Sequence, residues 1–145
     1  MTEPIERFAV LDISAAALER SKARLGGKAS EVQWIVGDVT QVQSVGRFDV
    51  WHDRAVFHFL TDPEDRRKYV QLALRTLPPE GHLILATFAT DGPTRCSGLD
   101  TCQYDASSAL TELGNSFSVV KELKEKHITP AGKTQNFFYG VFRRA

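Results

Sequence analysis

Short apolar runs that have the character of β-strands alternate along this chain with helix-forming stretches. The first run, Arg7 to Leu11, is followed by an acid, Asp12, and Ser14 then opens a stretch rich in alanine and leucine. Serine is favoured just before a helix, and the pair Gly26-Gly27 is a typical helix stop. An order of strand, helix and strand restricts a chain to folds built on a mostly parallel sheet.

The rest of the chain repeats this order and then changes it. Apolar runs over 31–36, 48–53 and 82–88 predict three further strands. Asp62-Pro63 predicts the start of one helix, and Asp105 predicts the start of a shorter one after a loop over 90–103. The last two runs, 117–129 and 134–144, are joined by a short turn and predict an antiparallel hairpin. The expected fold class is α/β, with a mostly parallel sheet and a C-terminal hairpin.

Size and charge narrow the classes of function. A chain of 145 residues can bury one core, so residues 1–145 are expected to form a single domain. The net charge of zero argues against binding to nucleic acid or to a membrane surface through bulk charge. No apolar run is long enough to span a membrane, and the N-terminus lacks the pattern of a signal peptide. Two cysteines, Cys96 and Cys102, are too few for a disulfide scaffold, so a cytoplasmic protein with free thiols is expected.

Three motifs and the terminal hairpin stand in an order that is typical of one family. VLDIS carries an acid after a strand, VGDV carries another, and LPPEGHLILATF leads from a turn into a strand. Together these features resemble the class I S-adenosylmethionine (SAM)-dependent methyltransferases, in which such acids follow the second and third strands. The resemblance covers most of the chain, from Arg7 to Arg144, and implies a Rossmann-like sheet that ends in an antiparallel pair.

One part of the family pattern has no counterpart in this sequence. Family members begin with a strand and a glycine-rich loop that wraps the methionine end of the cofactor, whereas here eleven residues precede Asp12 and none is glycine. The resemblance therefore implies a sheet without its first, central strand. Strand edges beside such a slot need hydrogen-bond partners. The sheet could close over the slot, the N-terminal segment could enter it, or a second copy could complete the sheet as a homodimer.

The resemblance also implies a SAM site at the ends of the first two strands of this chain. Asp12 would accept hydrogen bonds from both ribose hydroxyls, with Ile13 beside it. Asp38 would contact the adenine amino group, Val39 would donate its backbone N–H to the ring, and Gly37 directly precedes them. The residues themselves leave a structural alternative open, in which Asp12 caps the following helix and Asp38 ends a strand.

The segment that follows the third strand of this chain lies where the family opens its methyl-transfer site. The candidate catalytic residues are His52, Asp53, Arg54 and His58. Either histidine could take a proton from a methyl acceptor, and Arg54 could orient an acidic substrate. In the structural alternative, Asp53 and Arg54 form an ion pair and His58 packs against the sheet. No histidine pair has metal-ligand spacing, so no metal is expected.

These features together imply a SAM-dependent methyltransferase that acts on a small molecule, since the neutral charge offers no basic face for nucleic acid. The alternative is a non-catalytic remnant of the fold that serves as an oligomeric or binding protein, which the lack of a glycine-rich loop favours. An NAD-type Rossmann oxidoreductase ranks last. That class also needs the loop, and it does not predict the terminal hairpin.

Overall fold

The strands of this chain form separate sheets. The computed structural model describes residues 5–145, in which β1 (Phe8–Asp12) and β2 (Val32–Val36) form a parallel pair of their own. The remaining strands belong to a four-stranded sheet and a small hairpin. This division coincides with two compact units of the chain, residues 1–45 and 46–145, and each is described by itself. The single-domain organisation expected from the length stays a prediction.

The break between the sheets falls where the resemblance implied a slot. No strand ladder among the described residues joins β1 to the next strand, β3 (Val50–Arg54), and closure of the sheet over the slot stays a prediction. Residues 1–4, part of the N-terminal segment that could enter the slot, lie outside the described residues. Completion by a second copy stays a prediction.

The first unit places α1 (Ala15–Leu25) between its two strands. Ser14 caps this helix as predicted, because its hydroxyl accepts a hydrogen bond from the Ala17 N–H at 3.1 Å. The helix ends at Gly26, whose φ of 59° suits glycine. A 3₁₀ turn over Gly26–Glu31, which the sequence did not predict, then leads into β2.

The first unit buries little apolar surface. Leu18 of α1 is the one apolar side chain among its described residues that is fully buried. Trp34 is half-buried; its indole N–H donates to the Ala29 carbonyl at 2.9 Å, and the Lys22 ammonium lies 5.7 Å from its ring centroid. Several large apolar side chains stay exposed: Ile5, Phe8, Val10, Ile13, Leu25 and Val36.

The second unit is built on a mixed four-stranded sheet. Its order is β3-β4-β8-β7, counting two short strands as β5 and β6. The bounds of the remaining strands are His82–Phe88 for β4, Arg95–Cys96 for β5, Leu99–Asp100 for β6, Phe117–Ile128 for β7 and Thr134–Arg144 for β8. β3 and β4 are parallel, whereas β8 is antiparallel to both β4 and β7. The predicted terminal hairpin is therefore confirmed.

The helices of the second unit begin where the sequence predicted. Asp62 caps α2 (Pro63–Thr76) by accepting the Glu64 N–H at 2.9 Å, and Asp105 caps α3 (Ala106–Leu113) in a capping box. None of the helices in the described part of the chain combines the length and apolarity that membrane crossing requires.

The core of the second unit is apolar and lies between the sheet and its helices. Its largest fully buried apolar side chains are Phe57, Tyr69, Leu72, Leu77, Leu83, Leu85, Phe88, Phe138 and Phe142. The loop over 90–103 contains the β5–β6 hairpin, which was not predicted, and both cysteine thiols in it are free.

Candidate functional site

The carboxyl ends of β1 and β2 bring Asp12 and Asp38 to one edge of the first unit. The two strands are parallel and in register, with Asp12 opposite Val36. The Gly37 N–H then donates to the Asp12 carbonyl at 3.0 Å, which extends the pairing to the residue just before Asp38. The acids that the sequence singled out therefore lie at the same end of one two-stranded sheet.

Asp12 uses one carboxylate oxygen to hold the entry into α1, and its other oxygen has no hydrogen-bond partner among the described residues. Its Oδ1 accepts the Ser14 backbone N–H at 2.8 Å, which supports the entry into α1. Its Oδ2 accepts no hydrogen bond from the described residues, and the side chain is half-buried. Ile13, the next residue, is 71% exposed. The capping alternative is thus correct for Oδ1, and Oδ2 is available to a ligand.

Asp38 has the same division between its two oxygens. Its Oδ1 accepts both the N–H and the hydroxyl of Thr40, at 2.8 and 2.7 Å, and its carbonyl accepts the N–H groups of Gln41 and Val42. Its Oδ2 and the Val39 N–H make no hydrogen bond to the described residues. The sequence interpretation missed Thr40, although Asp followed two residues later by Thr is typical of such a turn.

Gly37 stands where the chain has no room for a side chain. A Cβ at this position would lie 2.7 Å from Cγ2 of Val42 and 3.6 Å from Cδ1 of Leu11. Glycine therefore allows the turn after β2 to fold back closely on the strand end that carries Asp38.

The candidate catalytic residues of the second unit alternate between buried and exposed along β3. Asp53 is 5% exposed, whereas His52 and Arg54 on either side of it are exposed. Successive side chains of a strand point to opposite faces, so neighbours such as Asp53 and Arg54 are poorly placed to pair. No ion pair joins those two among the described residues, and the Arg54 guanidinium instead lies 5.5 Å from the ring centroid of Phe137. The ion-pair alternative is therefore wrong.

Asp53 is the acceptor at the centre of a buried network. It accepts the backbone N–H groups of Val56 and Phe57 at 3.0 and 3.1 Å, and the Tyr69 hydroxyl at 2.5 Å. The Trp51 indole donates to the same hydroxyl at 3.0 Å. Burial raises the pKa of Asp53 above its usual range, although these hydrogen bonds act in the opposite direction. The pKa of Tyr69 is raised well above its usual value by burial and then by the nearby carboxylate.

His58 is enclosed at the end of β4. Its Nδ1 accepts the Phe88 N–H at 3.1 Å and its ring stacks on the Phe88 ring at 4.6 Å, as the packing alternative expected. Its carbonyl accepts the Cys102 N–H at 2.7 Å, which ties down the loop over 90–103. Burial lowers the pKa of His58 to about 4, so the ring is neutral with its proton on Nε2.

The four candidate catalytic residues therefore fall into an exposed pair and a buried pair. His52 and Arg54 are open to a ligand, whereas Asp53 and His58 hold the chain between β3 and β4 from inside the fold. Their catalytic roles stay predictions. The sequence interpretation missed Tyr69 and Trp51, whose polar atoms join Asp53 although both look like core aromatics. Within residues 5–145, no three potential metal ligands cluster.

Comparison with protein families identifies most of this chain. Residues 1–85 match the family described as Methyltransferase domain. The chain is also 32% identical over 108 residues to nodulation protein S of Rhizobium tropici. The aligned region covers 74% of this chain and 44% of that protein. The chain thus spans less than half the length of this curated relative.

Solved structures share the fold at lower identity. The N-methyltransferase NodS from Bradyrhizobium japonicum WM9, in complex with S-adenosyl-L-homocysteine (SAH), has a TM-score of 0.75 at 20% identity and covers 95% of this chain and 66% of that chain. A SAM-dependent methyltransferase from Methanosarcina mazei has a TM-score of 0.70 at 15% identity and covers 94% of this chain and 81% of that chain. The α/β fold class is thereby confirmed. This chain belongs to the methyltransferase domain family and has the fold of the class I SAM-dependent methyltransferases.

Proposed function

We propose that this chain binds SAM at the carboxyl ends of β1 and β2 and transfers its methyl group to a small molecule. The observation that carries the proposal is the pair Asp12 and Asp38, which lie at one sheet edge and each have a carboxylate oxygen without a hydrogen-bond partner within residues 5–145. Two acids used only for capping would give no reason for both to follow adjacent parallel strands. Ligands of open α/β sheets bind outside the carboxyl ends of strands, which supports this edge as the site.

The donors and acceptors at this edge fit the nucleoside part of SAM. Oδ2 of Asp12 has two free lone pairs and Oδ1 has one, which suits the two hydroxyls of a ribose. Oδ2 of Asp38 accepts an exocyclic amino group, and the Val39 N–H donates to a ring nitrogen. Ile13 offers an exposed apolar contact, and Gly37 keeps the backbone close. Bound SAM supplies an electrophilic methyl group on a positively charged sulfur.

For the transfer step we assign contact roles to His52 and Arg54 and positioning roles to Asp53 and His58. His52 takes a proton from the acceptor, and Arg54 holds an acidic group of the substrate. Asp53 fixes the turn after β3, and His58 fixes the end of β4. Alignment of nucleophile and methyl group supplies much of the rate in such a reaction, so positioning residues are part of the proposal.

The proposed acceptor is a small-molecule amine. The relative from Bradyrhizobium japonicum is an N-methyltransferase, which makes an amine nitrogen the first acceptor to test. The zero net charge supports neither nucleic acid nor a membrane surface as a partner. Two free thiols support a reducing, cytoplasmic location. Among the described residues β1 pairs with β2 alone, which is compatible with action as a homodimer.

A non-catalytic protein of the same fold is the less favoured alternative. The family match includes both candidate cofactor acids, Asp12 and Asp38.

Calorimetric titration with SAM and with SAH tests the proposal. We expect heat of binding for the unaltered chain and roughly 10- to 100-fold weaker binding for Asp12→Asn, because a hydrogen bond to a charged group is worth about 1.5–3 kcal/mol. Asparagine can still accept the Ser14 N–H, so the helix entry is kept. The matched control is Glu19→Gln, which removes an exposed acid of the same unit and leaves affinity unchanged. Absence of heat for the unaltered chain contradicts the proposal.

A further inference from the structure

Arg54 is the last residue of β3, and its side chain lies on the sheet face opposite to that of the buried Asp53. Its neighbour in β4 is Ala86, and the next residue across, in β8, is Tyr139. The small side chain of Ala86 leaves room for the arginine to cross β4. The guanidinium lies over the ring of Phe137 in β8, 5.5 Å from its centroid. The terminal hairpin therefore forms part of the surroundings of Arg54.

The ring of Phe137 is held in place by its neighbours. It is 6% exposed, and the rings of Phe88, His127 and Tyr139 surround it at centroid distances of 5.1, 6.0 and 6.4 Å. A ring enclosed in this way has little room to turn away from a cation above it. The face of an aromatic ring attracts a guanidinium because the ring quadrupole is negative there. Phe137 therefore offers Arg54 a constant contact.

The backbone of Arg54 is held in place as well. The Ala55 N–H donates to the Ala86 carbonyl at 3.0 Å, which extends the pairing of β3 and β4 beyond Arg54. Ala55 has a φ of 63°, a left-handed conformation that is uncommon for alanine, so the chain turns sharply there. Residues in such conformations persist where the surrounding structure holds them, and they cluster at functional sites. Arg54 is thus presented at the carboxyl end of β3, where ligands of open α/β sheets bind.

The Arg54 guanidinium has no anionic partner within residues 5–145. Glu125 lies opposite Phe137 in β7, yet it forms no ion pair with Arg54. A guanidinium that lies over an aromatic ring can still donate its N–H groups, which lie in its own plane, to a second ligand. Those donors match the two oxygens of one carboxylate. One guanidinium also balances the single charge of a carboxylate, whereas a phosphate monoester carries about two charges.

We propose that the methyl acceptor is an amine that carries a carboxylate, and that Phe137 is the positioning residue that orients Arg54 to bind this carboxylate. The inference rests on the proposed function and deepens it, since it names the class of acceptor and gives the terminal hairpin a part in selecting it. Phe137 acts through Arg54 and does not touch the substrate. Loss of its ring therefore weakens acceptor binding and leaves the chemical step unchanged.

NMR of the arginine side chains tests carboxylate binding without any need for SAM. We expect acetate to shift the Nε–H resonance of Arg54 in a saturable way, whereas chloride at equal ionic strength leaves it in place. Arg143, which is paired with Glu80, is the internal control and should respond little. A shift no larger for Arg54 than for Arg143 overturns the inference. A stronger response of Arg54 to inorganic phosphate than to acetate overturns the assignment to a carboxylate.

Two substitutions at Phe137 test the positioning role. Phe137→Leu keeps an apolar side chain but removes the ring face, and we expect the affinity of Arg54 for acetate to fall about 2- to 5-fold. Phe137→Tyr keeps the ring and should restore most of this affinity. The ring should also shift the side-chain protons of Arg54 in the spectrum of the unaltered chain. Absence of that shift, or unchanged acetate affinity in Phe137→Leu, overturns the positioning role.

Methyl transfer to matched amines tests the class of acceptor. Glycine and methylamine differ by one carboxylate, as do phenylalanine and phenethylamine. We expect the carboxylate-bearing member of a pair to have a KM that is roughly 10-fold lower at similar kcat. Arg54→Gln should remove this preference, and the control Arg143→Gln should keep it. Equal KM values for both members overturn the inference.

SAM titration of the same samples separates this inference from the proposed function. A chain that binds acetate at Arg54 and gives no heat with SAM contradicts the proposed function and supports the carboxylate site. A chain that binds SAM while Arg54 does not respond to acetate contradicts this inference alone.

Discussion

At the scale of single residues, capping and ligand binding are compatible uses of one carboxylate. Asp12 gives one oxygen to the Ser14 N–H, and Asp38 gives one to Thr40. The hydrogen bonds hold each side chain in a fixed orientation, so the second oxygen of each acid is also held in place for the ligand that we propose. An ordered acceptor loses less conformational freedom when it binds than a free side chain would.

Gly37→Ala tests how tightly the turn beside Asp38 is packed. The new Cβ would lie 2.7 Å from Cγ2 of Val42, so the turn must shift, and we expect a loss of about 1–3 kcal/mol in the free energy of unfolding. Adding Val42→Ala removes the contacted methyl group and restores part of this loss. Urea unfolding of the two single variants and the double variant measures the coupling. Strictly additive effects would show that Val42 is not the obstacle.

One contact was predicted wrongly although the sequence itself argued against it. Asp53 and Arg54 are neighbours in a strand, and the alternation of side chains already places them on opposite faces. The partners that Asp53 does have, such as Tyr69, are distant in sequence and are brought to it by the fold. Such contacts are set by tertiary packing and leave no local pattern.

At the scale of elements, the local signals were sufficient where a cap or an alternation fixes the structure. The start of α2 at Asp62 and the terminal hairpin were predicted because both depend on residues near in sequence. The 3₁₀ turn over Gly26–Glu31 and the two-residue strands β5 and β6 were missed because they are too short to show a period.

His58 joins the turn after β3 to the end of β4 and to the loop over 90–103. Its titration makes the stability of the second unit depend on pH. Burial lowers its pKa from 6.5 to about 4, so between these values the unfolded chain binds a proton that the folded chain does not. Stability therefore falls as pH decreases from 6.5 towards 4, by up to about 3 kcal/mol. Asp53 acts in the opposite direction, because its raised pKa lets the folded chain take up a proton first.

Urea unfolding at about pH 7 and about pH 5 measures this dependence. We expect His58→Gln to be less stable than the unaltered chain at neutral pH and to lose less stability on acidification. His52→Gln, which changes an exposed histidine, is the control, and we expect it to keep more of the dependence than His58→Gln does. An unchanged pH dependence in His58→Gln would assign the effect to another group.

At the scale of the whole molecule, the order of elements was predictable but the division into sheets was only partly so. No ladder joins β1 to β3 among the described residues, whereas the resemblance left open whether the sheet closes over the slot, the N-terminal segment enters it or a second copy fills it. Pairing between strands is non-local, and neither apolar runs nor caps report which edges remain open. The sequence therefore predicted the strands better than their partners.

The two units differ in how much apolar surface they bury, which predicts a difference in local stability. Leu18 is the one fully buried apolar side chain in the described part of the first unit, whereas β4 and β8 are rich in them. We expect amides of β1 and β2 to exchange with solvent faster than those of β4 and β8. Hydrogen exchange followed by mass spectrometry measures this, and equal protection of both sheets contradicts it.

The two tryptophans of this chain fall one in each unit, Trp34 in the first and Trp51 in the second. Their surroundings differ, because Trp34 lies beside the Lys22 ammonium and Trp51 donates to the Tyr69 hydroxyl. A Trp34→Phe or Trp51→Phe variant therefore leaves a single tryptophan, whose emission reports on one unit alone. Tryptophan emission can therefore follow the unfolding of each unit separately, without any added dye.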